Sequence, residues 1–174
     1  MLKKIFVLLA VLGFCLVLML LATGDSHFEV QSQAVFPVSR TELWQRLAAV
    51  DRWSDWWPGM EGARLAGGLR VGSRIQLRLN GMPDRDPALL TLVDVPHELV
   101  WEGSGVFGSL AGTRFLLEPD PAGSRLVVEH FVRGPQAFLA RFTGEEVFVK
   151  YQQKLLESLG LSLQGKRPGG REKD

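Results

Sequence analysis

The chain has 174 residues, with 20 Lys and Arg set against 19 Asp and Glu for a net charge of +1. The two signs are interspersed, which excludes the basic face of a nucleic-acid binder and an acidic interaction tail. The one cysteine, Cys15, excludes an internal disulfide framework and a cysteine-based zinc site.

Met1-Leu2-Lys3-Lys4 precedes a stretch from Ile5 to Ala22 that carries no charge. As a helix this stretch spans about 27 Å, close to the hydrocarbon thickness of a bilayer. Residues 1–24 therefore read as a membrane anchor, a single-pass transmembrane helix. Lys3 and Lys4 before it and Asp25 and Glu29 after it place the N-terminus in the cytoplasm and the domain outside, periplasmic in a Gram-negative cell. Ala22-Thr23-Gly24 offers the small residues a signal peptidase reads, so a cleaved signal peptide is the alternative. Bulky Phe14 before Cys15 does not suit lipid attachment, and Cys15 reads as lipid-facing or packed. Residues 25–163 remain as one domain, and residues 164–174 as a disordered polar tail.

The domain opens on an alternating strand, His27 to Phe36, ended by Pro37. Ser39-Arg40-Thr41-Glu42 has the form of a capping box and starts a helix whose Leu43, Trp44, Leu47 and Ala48 share a face. Asp51 is placed to cap a second short helix that carries Trp53, Trp56 and Trp57 and stops at Pro58-Gly59. Short strands follow at Ala63 to Ala66, Ser73 to Leu79, Ala88 to Val95, Glu98 to Gly103, around Thr113 to Leu117, and around Leu126 to Val132. Asn80-Gly81, Pro96-His97 and Pro119 to Gly123 punctuate them. Asp84-Arg85-Asp86 reads as a solvated turn. After Gly134-Pro135 the apolar period becomes helical through Ala137, Phe138, Phe142, Val147, Phe148, Tyr151, Leu155, Leu156 and Leu159. Thr143-Gly144 kinks or splits this segment, and Gly160 marks a frayed end. Short connections predict an antiparallel meander, covered on its apolar face by the C-terminal helix.

That order resembles the START-like superfamily (SRPBCC, Bet v 1-like), in its polyketide cyclase/dehydrase and lipid-transport branch. The residues that carry the resemblance are Ala34 to Arg40, Leu47 to Pro58 with its aspartate, tryptophan and tryptophan-proline, the hairpin from Gly68 to Ile75, Pro96 to Trp101, Gly123-Ser124-Arg125-Leu126, and Gly134-Pro135. The resemblance spans about Phe28 to Leu161. It implies an α+β helix-grip fold, a curved antiparallel sheet wrapped around a long C-terminal helix, here with an N-terminal transmembrane helix. A membrane anchor departs from the commonest soluble members.

Such a fold can leave a gap between sheet and helix. The expected lining is Trp57, Leu77, Leu90, Leu92, Trp101, Phe115, Leu117, Val128, His130, Phe138 and Phe142, enclosing a hydrophobic small molecule or lipid. The tryptophan cluster Trp53, Trp56 and Trp57 reads first as a packed lid over the sheet, and otherwise as an aromatic mouth for an apolar ligand or lipid headgroups. His130 falls on the apolar parity of its strand, either a satisfied core histidine or a polar group that orients a ligand or moves a proton. His97 and His27 read as solvated, and Arg114 and Arg125 as surface residues. Three scattered histidines lack metal-ligand spacing, and neither a nucleophile elbow nor a phosphate loop occurs. No metal or cofactor is expected. A binding module ranks first, and a cyclase or dehydratase using His130 with an acid such as Glu102 ranks second. An envelope factor whose interior is filled by its own side chains is a third reading.

Overall fold

The computed structural model describes residues 2–22, 26–82, 86–143 and 145–165, apart from the side chains at 2, 16, 18–22, 107, 142 and 143. The Asp84-Arg85 turn, Phe142, the Thr143-Gly144 junction and the end of the tail thus lie outside the described residues in whole or part. In chain order the elements are helix α1 (Leu2–Ala22), strand β1 (His27–Phe36), helix α2 (Arg40–Ala48), a 3-10 turn (Val50–Asp55), strands β2 (Met60–Ala66), β3 (Arg74–Leu79), β4 (Ala88–Asp94), β5 (Glu98–Ser104), β6 (Leu110–Asp120) and β7 (Gly123–Arg133), and helices α3 (Pro135–Thr143) and α4 (Glu145–Leu163). A second 3-10 turn, Val106–Gly108, joins β5 to β6.

The strands form one antiparallel seven-stranded sheet in the order β1-β7-β6-β5-β4-β3-β2. Strands β2 to β7 are the expected meander, and β1 closes against β7 over its full length, from His27 opposite Arg133 to Phe36 opposite Ser124. Directly opposed residues share a face, so the register lays out the inner surface row by row. One row runs Val30, His130, Thr113, Trp101, Leu90; the next runs Ser32, Val128, Phe115, Leu99, Val93. Helix α4 lies over this face, with Leu155, Leu156 and Leu159 packed into the same core as Trp101, Phe115 and Val128. This is a helix-grip-like α+β arrangement.

Local chemistry explains the helix starts and one misjudged cap. The Ser39 hydroxyl accepts from the Glu42 amide at 3.2 Å, so the predicted cap of α2 forms. Asp51 does not cap the turn after α2. That position is Ala49, with no side-chain bond, and Asp51 Oδ1 instead accepts from Leu65 N at 3.4 Å, tying the turn to β2. The C-terminal apolar segment is two helices, with α3 burying Ala137 and Ala140 against Phe28 and Val30. Gly160 is inside α4 rather than at a frayed end, and Val147, assigned to the buried stripe, is 58% exposed.

The described side chains of α1 from Ile5 to Val17, including Phe6, Leu8, Leu12 and Phe14, are exposed, as is the free thiol of Cys15. Among the described residues no helix is long and apolar enough to cross a membrane.

Candidate functional site: an aromatic interior with a polar edge

Most of the expected lining meets in one place. Trp57, Leu90, Trp101, Phe115, Leu117 and Val128 are buried in a single cluster, with Leu77 at its margin. Phe138 is half-buried on α3 and belongs to neither core cluster. Leu92 is a correction. The ladder between β4 and β5 shifts between Leu90 and Leu92, and such a bulge reverses the parity of the residues beyond it. Val93 therefore packs on the core, and Leu92 is 37% exposed on the outer face.

The space between sheet and helix is occupied by rings. Trp53 stacks on Trp57 at 4.9 Å and lies 5.1 Å from Trp101, while Trp101 meets Phe115 edge-on at 5.1 Å. Trp53, Trp56 and Phe115 have at most 1% of their surface exposed. Trp53 Nε1 donates to Leu47 O at 2.8 Å, and Ser158 Oγ of α4 donates to Trp56 O. These bonds fix the tryptophan turn between α2 and α4.

A polar edge borders the rings on the side toward α3. Gln152 of α4 is fully buried, and its Nε2 lies 2.9 Å from Val30 O, 3.2 Å from Val128 O and 2.9 Å from His130 Nδ1. The two carbonyls fix which way the amide faces, because the reverse orientation would set oxygen against oxygen. His130 Nδ1 is therefore an acceptor, and the ring proton sits on Nε2. Burial pushes the His130 pKa down to about 4, so the ring is neutral near pH 7. Tyr151 approaches His130 edge-on at 6.3 Å, and its hydroxyl accepts from Trp57 Nε1 at 2.6 Å. Burial pushes the Tyr151 phenol up, against the opposing pull of the Trp57 bond. Thr113 sits beside His130 in the same row, buried.

One hydrogen-bonding capacity is buried and unpaired here, Gln152 Oε1. A buried acceptor left unpaired costs about 1–3 kcal/mol. The apolar parity of its strand places His130 on this face from sequence, whereas Gln152 and Thr113 escape that reading and Tyr151 carries only a packing role in it. Gln152 had a signal: it stands four residues after Phe148 and three before Leu155, on the buried stripe.

The remaining sequence candidates lie elsewhere. Glu102 pairs with Gly112 and Leu89, on the parity opposite Trp101, so it does not share a face with His130. His27 contacts Glu29 at 3.0 Å and His97 contacts Asp94 at 3.7 Å, both at the surface. Arg114 bridges Glu98 at 2.6 Å and Glu129 at 3.6 Å on the outer face, and Arg125 holds Asp120 at 2.8 Å. The hydrogen bond that Arg114 donates to Glu98 raises the Arg114 pKa, and the Ala122 amide and Arg125 lower that of Asp120. Among the described residues no group of acidic, histidine or cysteine side chains is placed to hold a metal ion.

Two surface grooves accompany this interior. The larger, about 560 Å³, runs between the Phe36 end of β1 and the last turns of α4, from Ala34 to Val38 across to Leu156, Gly160 and Leu163. It touches none of the expected lining and lies at the far end from His130. The smaller, about 350 Å³, lies along Ser54 to Met60 and Ser158 and reaches the site only through Trp57. Size alone would favour the first, but the buried, unpaired Gln152 Oε1 beside His130 makes the interior edge the better candidate.

Residues 27–163 match the family Polyketide cyclase / dehydrase and lipid transport. The chain belongs to that family. An uncharacterized Mycobacterium tuberculosis protein is 29% identical over 101 residues, covering 56% of this chain and 71% of that one. The di-domain ARO/CYC StfQ of the steffimycin biosynthetic pathway superposes with a TM-score of 0.65 at 9% identity, covering 81% of this chain and 52% of StfQ. The chain thus spans about half of that protein. Protein MLL2253 of Mesorhizobium loti superposes at 0.60 with 16% identity, covering 81% of this chain and all of its own. Identities this low establish a shared fold and leave the activity open.

Proposed function

We propose that this domain binds an apolar small molecule that ends in a hydroxyl or carbonyl group, at the polar edge between β7 and α4. The observation that carries the reading is the unpaired Gln152 Oε1 beside the ring of His130 and the hydroxyl-bearing Tyr151. A ligand hydroxyl can donate to Gln152 Oε1 and accept from Tyr151 or His130, while its apolar body rests on Trp57, Trp101 and Phe115. Because rings fill the interior, binding requires the Trp57–Tyr151 contact to part. The cyclase-type reading has weaker support, since Glu102, the acid expected to work with His130, lies on the opposite face of the sheet.

A second reading has its own observation. The interior aromatics are packed face to edge, as in a core that needs no guest, which favours an envelope scaffold role. Solvent extraction of the purified full chain, followed by mass spectrometry, separates the two. The binding reading expects a co-purifying hydroxylated or carbonyl-bearing apolar molecule, depleted at least several-fold in Gln152→Leu. Protein that emerges empty, and whose tryptophan fluorescence is unmoved by long-chain alcohols or quinones, refutes it.

The reading includes a membrane tether. Support comes from the uncharged run Ile5 to Ala22 behind Lys3 and Lys4 and from the all-round exposure of the apolar side chains described in α1. With the positive residues cytoplasmic, the domain is extracytoplasmic.

A further inference from the structure

The end of the domain nearest α1 is built from four segments. Gly134 N donates to Ser26 O at 2.8 Å, and Arg141 Nη2 of α3 donates to His27 O at 2.7 Å. His27 lies opposite Arg133, which in turn lies opposite Leu110. The 3-10 turn at Val106 is bonded to α3, since Val106 N donates to Gln136 Oε1 at 3.1 Å and Gln136 N donates to Ser109 Oγ at 2.8 Å. Phe148 in the first turn of α4 lies 5.2 Å from Phe28 of β1, so the start of β1, the Val106 turn, α3 and the first turn of α4 form one end face.

Large apolar side chains stand exposed on that face: Val106 at 55%, Leu139 at 47% and Val147 at 58%. Leu139 is one helical turn beyond Gln136, the residue that meets the Val106 turn. Arg133 and Arg141 on this end are offset by Glu29, Glu145 and Glu146, so net charge does not draw it toward an anionic surface. What draws it is greasy area and proximity. Ser26 follows Ala22, the end of α1, by four residues, about 14 Å even when fully extended. The far end of β1, at Phe36, is ten residues along the strand, about 33 Å from the tether point.

We infer that the end face carrying Val106, Leu139 and Val147 docks on the lipid bilayer that α1 enters, seating these side chains in the interfacial region. This rests on the membrane-tether reading above. The occupant is lipid, held by apolar burial, so docking is nearly independent of salt. Docking sets α3 against the membrane. The His130–Gln152 edge is three residues along β1 and β7 from that face, about 10 Å, so a bilayer-derived guest has a short path to it.

The test uses the full chain in a Cys15→Ser background, with a single environment-sensitive NBD label at Val106→Cys or Leu139→Cys. Ala122→Cys, in the exposed turn between β6 and β7 at the other end, is the control. The protein is reconstituted in phosphatidylcholine vesicles, and α1 insertion is read separately by resistance to alkaline extraction. The inference expects a blue shift and a several-fold intensity gain at 106 and 139, unchanged between 0.05 and 0.5 M salt (about a threefold change in Debye length), and a water-like spectrum at 122. Inserted protein with water-like spectra at 106 and 139 overturns the docking and leaves the tether standing. Protein that alkali strips from the vesicles overturns both.

Discussion

His130 and Gln152 show how a residue's neighbours decide its chemistry. Both side chains are polar, His130 on the inner face of the sheet and Gln152 on the helix that covers it, and the two are in hydrogen-bond contact. The depressed pKa of His130 has a stability consequence with a definite sign. Above the ordinary histidine value of about 6.5 the ring is neutral in folded and unfolded chains alike, and no penalty arises. Between 6.5 and about 4 the unfolded chain binds a proton that the folded chain refuses, so stability falls as pH falls through that window. From pH 7 to pH 5 the loss is about 2 kcal/mol. Urea unfolding at the two pH values measures it, and His130→Gln abolishes that share of the difference while lowering stability at pH 7.

At the scale of elements, the sheet is shaped by close approaches that a single methyl group would disturb. Gly112 on β6 faces Phe131 on β7. A Cβ there would overlap the Phe131 ring and come 2.8 Å from Trp101 O. Phe131 is 4% exposed on the outer face, with the Arg133 guanidinium 5.1 Å above its ring, so it has little room to move. Gly112→Ala is expected to cost about 1–3 kcal/mol by overpacking, seen as a lower chemical-denaturation midpoint with an unchanged slope. The bulge between Leu90 and Leu92 acts at the same scale, since it turns one side chain out and Val93 in.

Across the whole molecule, five aromatic rings hold the two helical layers to the sheet. Trp101 is 4% exposed and touches Trp53, Trp57 and Phe115. Trp101→Ala is expected to cost about 3–5 kcal/mol. If the cavity so opened stays dry, it gains affinity for small aromatics, which thermal-shift titration with benzene or indole detects. The meander of β2 to β7, the α2 cap, the tryptophan cluster and the apolar face of the last helix were legible in the sequence, because period-2 and period-3.6 patterns and capping residues act over a few positions. The family resemblance at Leu47 to Pro58 and Pro96 to Trp101 was legible for the same reason. The tertiary structure alone decided that Leu92 faces out, that Asp51 bonds to β2, that Glu102 and His130 lie on opposite faces, and that Gln152 meets His130. Each of these depends on a register or a helix docking set by contacts distant in the chain, for which no local pattern carries a signal.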